Sequence, residues 1–163
     1  MRRALTVSLS TIGFAAALAV PGVAQAAPKR HFVEVESGTR LSSHGHRYED
    51  VYKIKKSPSG VGSAVRDSVL TGSTFPASGT DQAISYYKDG RLRAAETFTL
   101  GTPHVDGVGA ISGTGVCTKG SKAHRLETCH YTFSGTYDLR TGITQLTLTG
   151  TYTLATKHKK PSH

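Results

Sequence analysis

The sequence predicts an all-β fold: an antiparallel, eight-stranded closed barrel joined by short hairpins, with a β-sandwich as the alternative. Three observations predict it. From about residue 31 the apolar residues recur at period two, and no stretch keeps helical spacing for more than two turns. The 18 glycines, with abundant threonine and little leucine, favour strands and tight turns. Turn signals also divide the chain into seven or eight short runs at the spacing typical of antiparallel barrels and sandwiches. Closure is favoured because it removes edges that could pair with another chain.

Residues 1–26 read as an export signal. Arg2 and Arg3 precede an apolar stretch from Leu5 to Val20, Pro21 and Gly22 break it, and Ala24-Gln25-Ala26 offers a small-x-small cleavage site. The stretch is too short for a transmembrane helix, and no second one follows. The expectation is a secreted protein cut after Ala26, with 137 of its 163 residues in one domain and no membrane span. Residues 27–46 read as a partly flexible N-terminal segment with a possible short strand at Phe32 to Glu36. The barrel itself is expected over 47–155, and 156–163 as a basic disordered tail.

Within the barrel, Arg47 to Ile54 puts Tyr48, Tyr52 and Ile54 on one side, and Val61 to Leu70 reads as the next strand. Gln82 to Tyr87 meets Arg91 to Leu100 across an Asp89-Gly90 hairpin turn. Alternating glycines at 107, 109, 113 and 115 mark bends, bulges or close backbone approach. The last hairpin is the clearest. Tyr131, Phe133, Tyr137 and Leu139 point one way, as do Leu146, Leu148, Tyr152 and Leu154, while threonines and serines line the other face.

Net charge is +9, or +7 once Arg2 and Arg3 are removed, which invites weak attraction to anionic cell-wall polymers. The basic residues are scattered along the chain and are not interleaved with aromatics as in single-strand nucleic-acid binders, so nucleic acid is not an expected partner. Cys117 and Cys129, in an exported chain, are expected to form a disulfide contributing about 3 kcal/mol in the chain-entropy model. No zinc spacing, nucleophile elbow or phosphate loop is present. No metal or cofactor is expected, and His44-Gly45-His46 reads as polar surface.

Function in such a chain is sought where polar residues interrupt apolar faces. Asp50 shares the parity of Tyr48, Tyr52 and Ile54; Glu96 shares that of Leu92, Ala94, Phe98 and Leu100. Both carboxylates are therefore the candidate catalytic groups, since an enclosed carboxyl acquires a raised pKa suited to acid–base work. The competing reading is structural, with either acid at a barrel mouth beside Arg66 or Arg93. Tyr48, Tyr52, Phe98, Tyr131, Phe133 and Tyr137 are the expected pocket wall for a small apolar or phenolic ligand.

Three stretches resemble the barrel family of plant allene oxide cyclases and dirigent proteins, including its small secreted bacterial members. They are Tyr48-Glu49-Asp50-Val51-Tyr52 followed by Ser59-Gly60-Val61-Gly62; Glu96-Thr97-Phe98-Thr99-Leu100; and Gly109-Ala110-Ile111-Ser112-Gly113-Thr114-Gly115. The resemblance implies an eight-stranded barrel whose lumen binds a small apolar molecule without a cofactor, with Asp50 matching the early-strand acid. In plant members that lumen guides epoxide cyclisation or phenolic radical coupling, and family barrels often form homo-oligomers. Ser112-Gly113 stands where two glycines are usual, and the Cys117–Cys129 segment interrupts the next element, so a binding role is favoured over catalysis here. A basic protein that interacts with the cell surface is the remaining alternative.

Overall fold

Eight strands run up and down around a closed barrel in the computed structural model, which describes residues 28–124 and 128–154. They are β1 (Arg30–His44), β2 (Arg47–Lys56), β3 (Gly62–Leu70), β4 (Ala77–Tyr87), β5 (Gly90–Leu100), β6 (Val108–Gly120), β7 (Thr128–Asp138) and β8 (Ile143–Thr153). Each pairs antiparallel with the next, and β8 returns to β1 over ten register positions from Arg30↔Tyr152 to Thr39↔Ile143. That last pairing closes the sheet and excludes the sandwich. The expected leader, its cleavage site and the basic tail lie outside the described residues.

The barrel begins earlier than the sequence suggested. The segment expected to be partly flexible, 27–46, contains β1, a 15-residue strand hydrogen-bonded on both sides. Its alternation is inverted: Glu34 and Glu36 face the lumen while Val33 and Val35 lie on the outside. Register shifts between Val35 and Glu36 and between Arg40 and Ser42 let its long second half keep pairing with β2.

The lumen is narrow, and the sequence fills it by setting aromatic rings against glycines on neighbouring strands. Tyr52 lies over Gly38, Phe98 over Gly79, Phe133 over Gly113 and Tyr131 over Gly115, each a directly opposed pair in the register. A Cβ at Gly113 would overlap both the Phe133 ring and the Thr97 backbone carbonyl, so the close approach explains this glycine. Around these rings Ile54, Leu146, Leu148, Ala64, Ala83 and Ala94 complete the apolar core. Outside, threonines and serines face solvent, some paired across strands, such as Thr97 with Thr114 at 3.1 Å.

The two barrel ends differ. The connections β1–β2, β3–β4, β5–β6 and β7–β8 form one end, called here the mouth. The other end carries the β2–β3, β4–β5 and β6–β7 connections and both ends of the described barrel. At this far end Cys117 and Cys129 face each other at disulfide distance, with Cα atoms 5.0 Å apart. They bracket a segment whose Lys122–His124 turn is the one described element that is not a strand.

Gly113→Ala, measured by urea denaturation, is expected to destabilise the barrel by about 1–3 kcal/mol through overpacking, and Gly45→Ala not by that mechanism, because open space surrounds Gly45.

Candidate functional site

Half-way along the lumen the apolar packing gives way to a cluster of ionisable groups. Arg66 of β3, 2% exposed, donates from Nη1 to Glu36 of β1 at 2.5 Å. Its Nε and Nη2 donate to the two carboxylate oxygens of Glu96 on β5, at 3.1 and 3.3 Å. Asp81 of β4 lies 3.6 Å from Arg66 Nε, Tyr131 donates to Glu96 at 2.5 Å, and the Tyr52 ring lies under the guanidinium, 4.4 Å from its carbon. Burial alone would lower the pKa of Arg66, but Glu36 and Glu96 outweigh it and hold the group charged. Three carboxyls thus surround one cation, and the fork of the arginine fits a two-point contact with Glu96.

This cluster divides the lumen into two cavities. The cavity toward the mouth has a volume of about 70 Å³. Its walls are Tyr48, Phe75, Phe98, Ile111, Phe133 and Tyr137, and Arg66, Asp81, Asp50, Tyr52 and Ser68 supply its polar side. The far cavity, about 40 Å³, lies among Phe32, Glu34, Tyr87, Leu92 and Tyr152.

Both carboxylates singled out in the sequence face inward, but they sit in different surroundings. Asp50, 7% exposed, is 3.4 Å from Arg40 Nε, and Arg40 in turn stacks on Tyr48 near the mouth. Burial raises the pKa of Asp50 and Arg40 opposes that rise. Glu96 is held in the central cluster by Arg66, whereas Arg93 is exposed on the outer face. Five of the six expected wall residues line the mouth cavity. Tyr131 does not: its hydroxyl is committed to Glu96 and its ring packs edge-on against Phe32 on the far side. His44 and His46 are exposed, and no group of three or more potential metal ligands forms among the described residues.

The sequence did not reveal Asp81, Glu36 or Glu34, nor the central place of Arg66. Burial, then the charge of Glu96, raises the pKa of Asp81 from 3.8 to about 8, so at neutral pH it carries a proton. Its Oδ1 is buried without a hydrogen-bond partner, although Asp81 lines the mouth cavity. Glu34, hydrogen-bonded by Tyr87 at 2.9 Å, is raised to about 7 by burial and by neighbouring Glu36. The signal that was present is parity: Phe32, Glu34, Glu36 and Gly38 occupy one face of a strand, with the valines on the other.

No family model, curated protein or solved structure matches the chain.

Because the folded state binds protons at Asp81 and Glu34 that the unfolded chain has released above about pH 4, stability should be greatest on the acid side. It should fall as pH rises through about 7 to 8. The expected thermal midpoint is therefore several degrees higher at pH 5 than at pH 8.5, and Asp81→Asn should flatten much of that slope.

Proposed function

We propose that the protein is a small-ligand-binding barrel that takes a compact apolar or phenolic molecule into its mouth cavity. The observation that carries this reading is the pairing of an aromatic wall with an unpartnered buried carboxyl oxygen, Asp81 Oδ1. The proton of Asp81 is directed to Glu96, so the free Oδ1 accepts a hydrogen bond and suits a ligand hydroxyl. The apolar body of the ligand then lies among Phe98, Phe133, Ile111 and Phe75. Pockets for drug-sized ligands run to roughly 300–1,000 Å³. About 70 Å³ favours something much smaller, a single ring or short branched chain with one hydroxyl. The resemblance of Tyr48–Tyr52, Glu96–Leu100 and Gly109–Gly115 to the allene oxide cyclase and dirigent barrels supports the same reading, since those stretches lie on β2, β5 and β6 around this cavity.

A panel of simple phenols and cyclic alcohols, tested by native mass spectrometry and by NMR shifts, is the direct test. Ile111→Trp is expected to fill the cavity and reduce affinity at least about tenfold while far-UV circular dichroism stays unchanged. Failure of every compound to bind the parent protein would refute the proposal.

A cofactor-independent cyclase or dirigent-like activity in the same cavity is the second reading, favoured by the proton that Asp81 holds near neutral pH beside ionised groups. Asp50 would steer the intermediate from the Arg40 side. Asp50→Asn should then remove turnover of an epoxide or phenoxyl-radical substrate while leaving ligand binding within about threefold; unchanged turnover would exclude Asp50 from that role.

A further inference from the structure

The basic residues, scattered along the sequence, are gathered by the topology at the far end of the barrel. Lys53, Lys55 and Lys56 lie on the second half of β2, and Lys88, Arg91 and Arg93 on or beside the β4–β5 hairpin. Lys29 and Arg30 enter β1, and Lys119 and Lys122 leave β6. All ten are exposed, and none forms an ion pair with a described carboxylate. Asp89 is the one exposed acid among the described residues of this end, and it is 3.1 Å from His124 Nε2. At the mouth the balance is different: Arg40, Arg47 and Arg140 face Glu49, Asp67, Asp106 and Asp138. Ten like charges on one small face repel one another, and that cost is relieved by an anionic partner.

We propose that the far end is a docking face for a flexible polyanion, a phosphate-backbone polymer without bases. Three features select this partner. Seven of the ten groups are lysines, compact point charges that suit an irregular chain of phosphates better than a fixed two-point contact. Nucleic-acid bases would need aromatic platforms, and Tyr86, 43% exposed, is the one markedly exposed tyrosine or phenylalanine at this end among the described residues, joined there by the exposed imidazoles of His31 and His130. A bilayer would favour inserted apolar side chains, and among the described large apolar residues of this end only Val61, at the β2–β3 turn, is more than half exposed. Docking through this face leaves the mouth cavity pointing away from the polymer and accessible. The inference is independent of what the cavity binds.

The test uses the full chain and fluorescently labelled inorganic polyphosphate, with binding followed by anisotropy from low to moderate salt. Affinity is expected to fall steeply with salt. The triple variant Lys53→Gln/Lys55→Gln/Lys56→Gln is expected to bind about tenfold or more weakly, and to show a shallower salt dependence, because each lost phosphate contact removes about 0.7 from the log–log slope. Arg47→Gln/Arg140→Gln, at the opposite end, should stay within about twofold of the parent. Matched urea midpoints for the two variants would show that the difference is not one of folding. Equal losses in both variants, or no binding by the parent, would overturn the proposal. So would tighter binding to single-stranded DNA or to phosphatidylglycerol vesicles of matched phosphate concentration, which would assign the face to a nucleic acid or a membrane instead.

Discussion

A guanidinium that is 2% exposed at the centre of an eight-stranded barrel must be neutralised by groups that the fold brings to it. Glu36, Asp81 and Glu96 reach Arg66 of β3 from three other strands, β1, β4 and β5, so the cluster joins the consecutive strands β3, β4 and β5 to β1 across the lumen. The cluster therefore exists only when every intervening strand holds its register. A slip of one residue in β3 would turn Arg66 outward and Val65 inward and leave three buried carboxyls without their cation. Buried ion pairs contribute little net stability compared with an apolar core of the same volume, while removing one partner costs about 3–5 kcal/mol. The cluster is best understood as a device that fixes register.

From that constraint follow the dimensions of the site. The ionisable layer blocks the lumen, so neither cavity runs through the barrel, and the mouth cavity inherits a polar floor beneath aromatic walls. Asp81 is the member of the layer with the most to offer a ligand. Arg66 gives its three nearest donors to Glu36 and Glu96, and Asp81 keeps one oxygen without a partner. With more carboxyls than cations in a dry space, a proton is retained near neutral pH, and the group is a neutral acid where sequence intuition would place an anion.

Much of the fold was legible because most strands obey the ordinary rule of apolar inside and polar outside. β7 and β8 alternate cleanly, β5 carries one exception at Glu96, and the turns at Asp89-Gly90 and Thr141-Gly142 announce themselves. What was missed lies on strands that invert the rule. In β1 the lumen-facing set is Phe32, Glu34, Glu36 and Gly38, and in β3 it includes Ala64, Arg66 and Ser68, while Val33, Val35, Val65 and Val69 face outward. Read alone, such strands look like loops or point the wrong way. Their inward charges become intelligible only in pairs, and the pairs are 30 residues apart in sequence. The distribution of surface charge was hidden for a related reason: alternate hairpin tips go to opposite ends, so residues evenly spread along the chain are sorted by the up-and-down topology.

The even number of strands has a further consequence. Because β8 pairs with β1 from Arg30↔Tyr152 onward, the two limits of the barrel lie side by side. The backbone is close to a cyclic object whose opening happens to fall between these two strands. A peptide bridging them, with new termini cut into any hairpin of the mouth or far end, would leave every ladder of the sheet intact. The order in which the strands occur is thus an accident of where the ring is broken, and the same lumen could be written by eight different sequences that are rotations of one another.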